Sequence, residues 1–137
     1  MNKEEYKKYK IQQYYKNKYK KNLLAKKYIY KRKEDIIYKI IDNLSRRAYK
    51  FLKKINMDIN MTHMELIGCS SDELKKYLQH KFVNNMSYNN YGKWEVDHIK
   101  PITLFDLNNI EQIKECFNYK NLQPLWRLDN IQKSNKY

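Results

Sequence analysis

The chain has 137 residues and carries a formal net charge of +14, with a sequence pI near 9.6. This length fits one domain with an extension, or two small units. So large an excess of cations argues against an enzyme for small neutral substrates and favours a nucleic acid or an anionic surface as partner.

The two cysteines, Cys69 and Cys116, are far apart and form no C-x-x-C pair. We therefore expect two buried thiols, no disulfide framework and a reducing intracellular compartment. No apolar run approaches the roughly 18 residues that cross a bilayer, and none follows the polar N-terminus. The sequence thus predicts neither a membrane span nor secretion.

Residues 1–34 are the most basic stretch, with thirteen Lys or Arg residues against three Glu. Tyrosines are interleaved with these cations, and neither Gly nor Pro interrupts them, so a helix is predicted. Three interpretations stay open for it. It is a solvated basic helix with a broken apolar seam, an arm that binds the DNA backbone, or a membrane-surface helix.

A second helix is predicted from Asp35, its N-cap, to about Ile55, because apolar residues recur there with a period of 3.6. Its apolar stripe consists of Ile36, Ile37, Ile40, Ile41, Leu44, Ala48, Phe51, Leu52 and Ile55. Arg46 and Arg47 fall mainly off this stripe and are candidate DNA contacts. Residues 56–64 are predicted as a linker, in which His63 is a solvated loop histidine.

The remaining sequence predicts a third helix and then a strand, a short helix, a return strand and a last helix. The third helix opens with a capping box, Ser70 and Glu73, and His80 lies off its apolar face. Gly92 marks the turn before the first strand. The last four elements are expected over about 94–98, 109–117, 121–126 and 129–136.

Three ordered segments within these elements carry groups with chemical potential. They are Trp94-Glu95-Val96-Asp97-His98-Ile99-Lys100-Pro101, Asn121-Leu122-Gln123-Pro124-Leu125-Trp126 and Asp129-Asn130-Ile131-Gln132-Lys133-Ser134. Asp97 is a ligand for a hard metal, and the adjacent His98 can take a proton from water. Asn130 supplies a second oxygen. These groups suffice for metal-assisted phosphodiester hydrolysis, although each alone would be an ordinary surface, turn or helix-cap residue.

The three segments resemble the HNH family of nucleases, in the variant whose last motif residue is Asn, over about residues 66–137. Other segments fit that family's spacing as well: Gly68-Cys69-Ser70, Asn90-Tyr91-Gly92-Lys93-Trp94, Phe105-Asp106-Leu107 and Cys116-Phe117. The resemblance is strongest to HNH proteins of phages and large DNA viruses. It implies a ββα-metal (HNH) nuclease domain at 65–137. Together with the helices predicted before it, this gives an α+β, mainly helical fold with a basic helical extension at 1–64 that is expected to bind DNA.

The resemblance also implies a role for each motif residue. His98 would be the general base, and Asp97 and Asn130 would hold one Mg²⁺ or Mn²⁺ ion, whose octahedral shell is completed by water and phosphate. Asn121 would brace the loop behind His98. No structural zinc is expected, because the ligands for it are missing. Glu95 departs from the family's pattern and either faces solvent or weakens the approach of DNA.

Phosphate contacts are expected from cations near these motifs, whereas Trp94 and Trp126 are expected in the core. The candidate DNA-binding residues are Lys133, Lys136, Arg127, Lys100, Arg46 and Arg47.

The sequence therefore predicts a metal-dependent endonuclease or nickase that acts on double-stranded DNA. One such site cuts one strand, so a double-strand break would require a homodimer or rebinding. A second hypothesis is a non-catalytic nucleic-acid-binding or architectural protein with a decayed HNH core, because most of the charge lies outside the motifs. A third is a protein of anionic membrane surfaces, against which the lack of a strongly apolar face in residues 1–34 argues.

Overall fold

The structure is a computed structural model that describes residues 1–56, 60–134 and 136. It consists of two compact units, Met1–Asp35 and Ile36–Tyr137. The sequence places the boundary later, between 64 and 65. The structure differs because the helix that follows Asp35 supplies much of the second unit's core.

The first unit is one long helix, α1 (Lys3–Glu34), as the sequence predicts. A capping box starts it: the Asn2 side chain accepts from the backbone of Glu5, and the Glu5 carboxylate accepts from the backbone of Asn2. Its Tyr, Leu and Ile side chains are all at least 42% exposed. They are spread around the helix, so no side of α1 forms an apolar face.

Helix α2 (Ile36–Lys54) opens the second unit and confirms the periodicity seen in the sequence. It packs against the three helices described next, α3, α4 and α5. The side chains that it buries are Ile37, Ile40, Ile41, Leu44, Ser45, Ala48 and Leu52.

Two short helices follow, α3 (His63–Ile67) and α4 (Ser71–His80). The Ser70–Glu73 capping box is confirmed, and Thr62 and Glu65 form another at the start of α3. The prediction of a loop around His63 is therefore wrong: His63 is the first residue of a helix, and its ring lies 6.1 Å from that of Tyr49. Residues 57–59 of the predicted linker lie outside the described part of the chain.

The sheet has two antiparallel strands, β1 (Trp94–His98) and β2 (Leu122–Trp126), with Trp94 opposite Trp126 and His98 opposite Leu122. Helix α5 (Ile110–Phe117) lies in the connection between them. Single 3-10 turns occupy Tyr88–Asn90, Ile102–Leu104 and Tyr119–Asn121. The predicted α+β, mainly helical class is confirmed.

The last helix, α6 (Arg127–Lys133), packs against both strands and completes a strand–strand–helix unit. It begins directly after β2, two residues earlier than predicted, and it ends before the predicted limit near Lys136. Trp126 occupies the N-cap position without a side-chain cap. Asp129, where the helix was predicted to start, lies inside its first turn.

Buried side chains form two hydrophobic clusters in the second unit, and α2 contributes to both. The first packs Ile40 and Leu44 with α4 and the buried Trp94, and Trp126 lies at its edge. The second packs Ala48 and Leu52 with α3 and α5. Cys116 is fully buried there, and Cys69 is half-buried. No described helix combines the length and apolarity needed to cross a membrane.

Candidate functional site

The end of β1 places Asp97 and His98 beside each other on different sides of the strand. Trp94, Val96 and His98 are buried, whereas Glu95 and Asp97 are partly exposed. This alternation is that of any strand with one face on a core. His98 is only 2% exposed. A common site for Asp97 and His98 therefore requires the chain to turn at once after His98.

Asn121 holds that turn. Its side-chain oxygen accepts from the backbone N–H of Lys100 at 2.9 Å, and its amide donates to the Lys100 carbonyl at 3.2 Å and the Cys116 carbonyl at 2.9 Å. The backbone N–H of Ile99 also donates to the Asn121 carbonyl, at 2.7 Å. Asn121 thus ties the segment after His98 to the end of α5, and its role in supporting His98 stays a prediction.

Asp97, His98 and Asn130 line one cleft of about 210 Å³. Three elements deliver these groups: β1 carries Asp97 and His98, α6 carries Asn130 and Lys133, and α2 brings Arg47 from outside the motif region. The structure therefore brings together the three residues that the sequence assigns to the chemistry. Their assigned roles stay predictions.

The Asp97 carboxylate is engaged by two side chains. The Lys133 ammonium donates to its Oδ2 at 2.6 Å, and the amide of Gln123 donates to the same oxygen at 3.2 Å. Lys133 also donates to the carbonyls of His98 at 2.6 Å and Ile99 at 3.2 Å. Its ammonium is therefore directed into the cleft. The predicted contact between Lys133 and a phosphate would require this ammonium to leave Asp97.

Glu95 orients Asn130, a relationship that the sequence analysis missed. The Asn130 amide donates to Glu95 Oε2 at 3.1 Å, and Arg127 Nε lies 3.6 Å from Glu95 Oε1. The Asn130 side-chain oxygen is then the atom that can accept a hydrogen bond from a ligand or coordinate a cation. The alternation along β1 was the available signal, since it puts Glu95 on the same face as Asp97.

His98 lies in an apolar and cationic environment. Its ring meets that of Phe117 edge-on, with 5.0 Å between centroids, and its Nε2 is buried without a protein partner among the described residues. Burial, reinforced by the positive charges of Arg47 and Lys133, lowers the pKa of His98 to about 4, although Asp97 opposes this shift. The imidazole is therefore neutral at neutral pH and free to accept a proton.

A second cleft of about 430 Å³ adjoins this site and shares Arg47 and Asn130 with it. Arg46, Tyr91 and Glu95 are among its other lining residues. Arg46 is exposed and paired with Asp42, which raises the pKa of the guanidinium. Among the described residues, Arg47 donates one long hydrogen bond, 3.5 Å, to the Val96 carbonyl. Of the two arginines, Arg47 is thus the one placed at the site.

Two other predicted DNA contacts, Lys100 and Lys136, are not among the residues that line the cleft. The Lys100 ammonium is 4.0 Å from Glu115 and 4.1 Å from the Phe105 ring centre, although its backbone is part of the turn held by Asn121. Lys136 follows the end of α6 and is exposed. Both stay predictions as phosphate contacts.

The donor set suits a hard divalent cation. The Asp97 carboxylate and the carbonyls of His98 and Ile99 already converge on one positive charge, the Lys133 ammonium. The Asn130 amide oxygen is nearby. Among the described residues, no three His, Cys, Asp or Glu side chains form a metal cluster. An ion here would rest on oxygen ligands, which Mg²⁺ and Mn²⁺ prefer.

No protein-family model and no solved structure matches the chain. It is similar to two proteins of Acanthamoeba polyphaga mimivirus, uncharacterized protein L246 (39% identical over 102 residues) and uncharacterized protein L426 (34% over 103 residues). Each match covers 74% of this chain and 44% of the viral protein. The chain therefore spans less than half the length of these relatives.

Proposed function

We propose that this chain is a metal-dependent DNA endonuclease of the HNH type. One observation carries the proposal: Asp97, His98 and Asn130 line the same cleft at the end of a strand–strand–helix unit. These are the residues that the resemblance assigns to a metal ion and a general base. The two similar proteins come from a giant virus, which agrees with a resemblance to HNH proteins of large DNA viruses. Their names state no activity.

In this proposal the ion is Mg²⁺ or Mn²⁺, held by the Asp97 carboxylate and the Asn130 amide oxygen. When bound, such an ion would polarise the phosphoryl group and stabilise the leaving oxygen. Glu95 fixes the orientation of the Asn130 amide, as residues behind metal ligands commonly do.

His98 accepts the proton of the attacking water. It lines the cleft, and Asn121 fixes the backbone turn that follows it. The imidazole is unprotonated at neutral pH, but its pKa of about 4 makes it a weak base, so the approach of the anionic phosphate has to raise this pKa. Phe117 limits the ring's freedom on the buried side. The burial also defines a constraint, since water must reach His98 from the cleft that it lines.

DNA binding would rest on phosphate contacts. Arg47 is at the cleft, and α1 carries about +10 of the chain's net charge of +14, on cations that are exposed wherever the structure describes them. The absence of an apolar face on α1 argues against the membrane-surface hypothesis. One such site cuts one strand, so a single copy would nick DNA and a double-strand break would need a homodimer.

We place this activity in a reducing intracellular compartment, because the two thiols are free and poorly reactive. Burial raises the pKa of Cys69 to about 11 and that of Cys116 to about 12. Neither thiol is then a ready nucleophile.

A second candidate is a DNA-binding protein without catalysis. The ion pair between Lys133 and Asp97 favours it, because an ammonium already neutralises the carboxylate without any metal.

Nicking of supercoiled plasmid under Mg²⁺ or Mn²⁺, with EDTA as the blank, separates the two candidates. We expect nicking by the wild type, at least about a hundredfold less by His98→Ala or Asp97→Asn, and unchanged activity in the exposed control Asp72→Asn. If neither wild type nor His98→Ala nicks the plasmid with either metal, and wild type still binds DNA in a salt-dependent way, the non-catalytic DNA-binding protein is the correct candidate.

A further inference from the structure

We propose that Lys133 is an exchangeable internal cation, which occupies the metal's place at Asp97 until a DNA phosphate draws it away. Binding of the divalent ion and binding of DNA are thereby coupled. This inference rests on the proposed function and adds to it the order in which the site is assembled.

The coordination of the Lys133 ammonium is the first argument. An ammonium has three donor hydrogens, and Lys133 has three oxygen acceptors: Asp97 Oδ2 at 2.6 Å and the carbonyls of His98 at 2.6 Å and Ile99 at 3.2 Å. The side chains of Lys133 and Asp97 are only 19% and 13% exposed. Water therefore screens this pair little, and the ammonium is held as a bound cation would be.

Competition between cations is the second argument. Because both need the Asp97 carboxylate, a divalent ion and the ammonium would stand within a few ångströms of each other in a poorly hydrated cleft. Like charges at that distance repel strongly. The ion therefore binds with full affinity only after the Lys133 side chain has moved.

The third argument concerns where the ammonium goes. Lysine is a point charge on a flexible four-carbon stem, and Lys133 is the last residue of α6, followed by Ser134 at a φ of 50°. A phosphodiester entering between Arg47 and Asp97 offers it a new anionic partner in the same cleft. Lys133 then binds the phosphate, and Asp97 is free for the metal.

Such an exchange has a thermodynamic consequence. If DNA raises the affinity for the ion by some factor, the ion must raise the affinity for DNA by the same factor. Both increases should depend on the charge at position 133.

The first experiment measures Mn²⁺ binding to the full chain without DNA, by electron paramagnetic resonance of the free ion. We expect Lys133→Gln to bind Mn²⁺ at least about tenfold more tightly than wild type. Lys133→Arg, which keeps the charge, and Lys54→Gln, at the exposed end of α2 and outside the cleft, should stay within about twofold of it. Circular dichroism checks that each variant is folded, and Lys133→Arg supplies a second comparison if Lys133→Gln is impaired.

The same titration distinguishes two failures. If Asp97→Asn binds Mn²⁺ as the wild type does, the ion is not at Asp97, and the proposed function fails. If Asp97→Asn loses binding while Lys133→Gln matches the wild type, the metal site stands and the exchange of Lys133 is refuted.

The second experiment measures the affinity for a labelled 20-base-pair duplex with and without Mn²⁺ at constant ionic strength, in a His98→Ala background that prevents cleavage. We expect Mn²⁺ to tighten DNA binding by about five- to a hundredfold when Lys133 is present. The gain should fall at least about fivefold when Lys133→Gln is added. An equal gain in both proteins would overturn the coupling.

Discussion

The side chain of Asn121 hydrogen-bonds both backbone polar groups of Lys100, at 2.9 and 3.2 Å. Asn121 lies directly before β2, and from there it fixes the turn that follows His98 in β1. We expect Asn121→Ala to lower the free energy of unfolding by about 1–3 kcal/mol, because the backbone groups of Lys100 and the Cys116 carbonyl lose their partner. Urea denaturation measures this change.

Asn121→Asp is the informative companion to that variant. It keeps the acceptor for the Lys100 N–H but loses both donors, so it should also be less stable than wild type. Because Asn121 supports the backbone and binds no ion in the proposal, Mn²⁺ affinity of the folded variant should change less than about threefold, whereas loss of a ligand costs more. A loss as large as that of Asp97→Asn would make Asn121 a ligand.

The buried His98 predicts a dependence of stability on pH. Its pKa is about 4 in the folded chain, against an ordinary value of 6.5. The unfolded chain thus binds more protons between these values, and the stabilisation present above pH 6.5 is lost as the pH falls towards 4. In EDTA, wild type should lose about 2 kcal/mol more than His98→Gln between pH 7 and pH 5. Parallel losses would contradict a buried neutral imidazole.

Arg47 and Arg46 form a matched pair for testing the DNA contact. Both side chains are exposed, but Arg47 lines the cleft with His98, whereas Arg46 is paired with Asp42. We expect Arg47→Gln to weaken DNA binding about tenfold and to reduce the slope of log K against log salt by about 0.9. Arg46→Gln should do less on both counts. Fluorescence anisotropy from 50 to 200 mM salt measures the affinity for DNA and its salt slope. If the two variants behave alike, Arg47 does not contact DNA at the cleft.

The cations of α1 should contribute to the affinity for DNA without selecting a particular DNA sequence. Replacing Lys16, Lys18, Lys20 and Lys21 by Gln in the full chain should lower the salt slope by up to about 4, if each neutralises one phosphate. The same four positions changed to Arg keep the charge and should restore the slope. A slope that does not respond to the Gln variant would separate α1 from DNA binding.

Alanine substitutions at two glycines test the geometry of two turns, at Gly68 between α3 and α4 and at Gly92 before β1. Gly68 has a φ of +79°, and a Cβ there would lie 2.5 Å from Asn118 Nδ2, whereas Gly92 has a φ of +104° and open space around it. Alanine should cost about 1–2 kcal/mol at Gly92 through the backbone alone. It should cost more at Gly68, where Asn118 must also move. Urea denaturation of both variants decides the order.

Local patterns in the sequence predicted the elements that have clear periodicity or caps. Helix α2 follows from its apolar period, and α4 from the Ser70–Glu73 box. Helix α3 was missed although Thr62 and Glu65 have that same spacing, because a helix of five residues is too short to show a period. The order of the last two strands and helix also followed, since strand alternation and turn residues are local signals.

The sequence predicted which residues form the candidate site, but it did not predict the contacts between them. Asp97, His98 and Asn130 follow from the motif resemblance, and they line one cleft. The ion pair of Lys133 with Asp97 joins residues from α6 and β1, and no local pattern encodes such a tertiary contact. The same holds for Arg47, because only the packing of α2 against the sheet region brings it to His98.

Helix α2 inserts its side chains into both hydrophobic clusters, the first with the strands and the second with α3 and α5. A shortened fragment that begins at residue 65 would keep every motif residue yet expose the faces on which Ile40, Leu44, Ala48 and Leu52 pack. We expect such a fragment to aggregate. A fragment that folds around the candidate site should therefore have to begin near Ile36, where α2 starts.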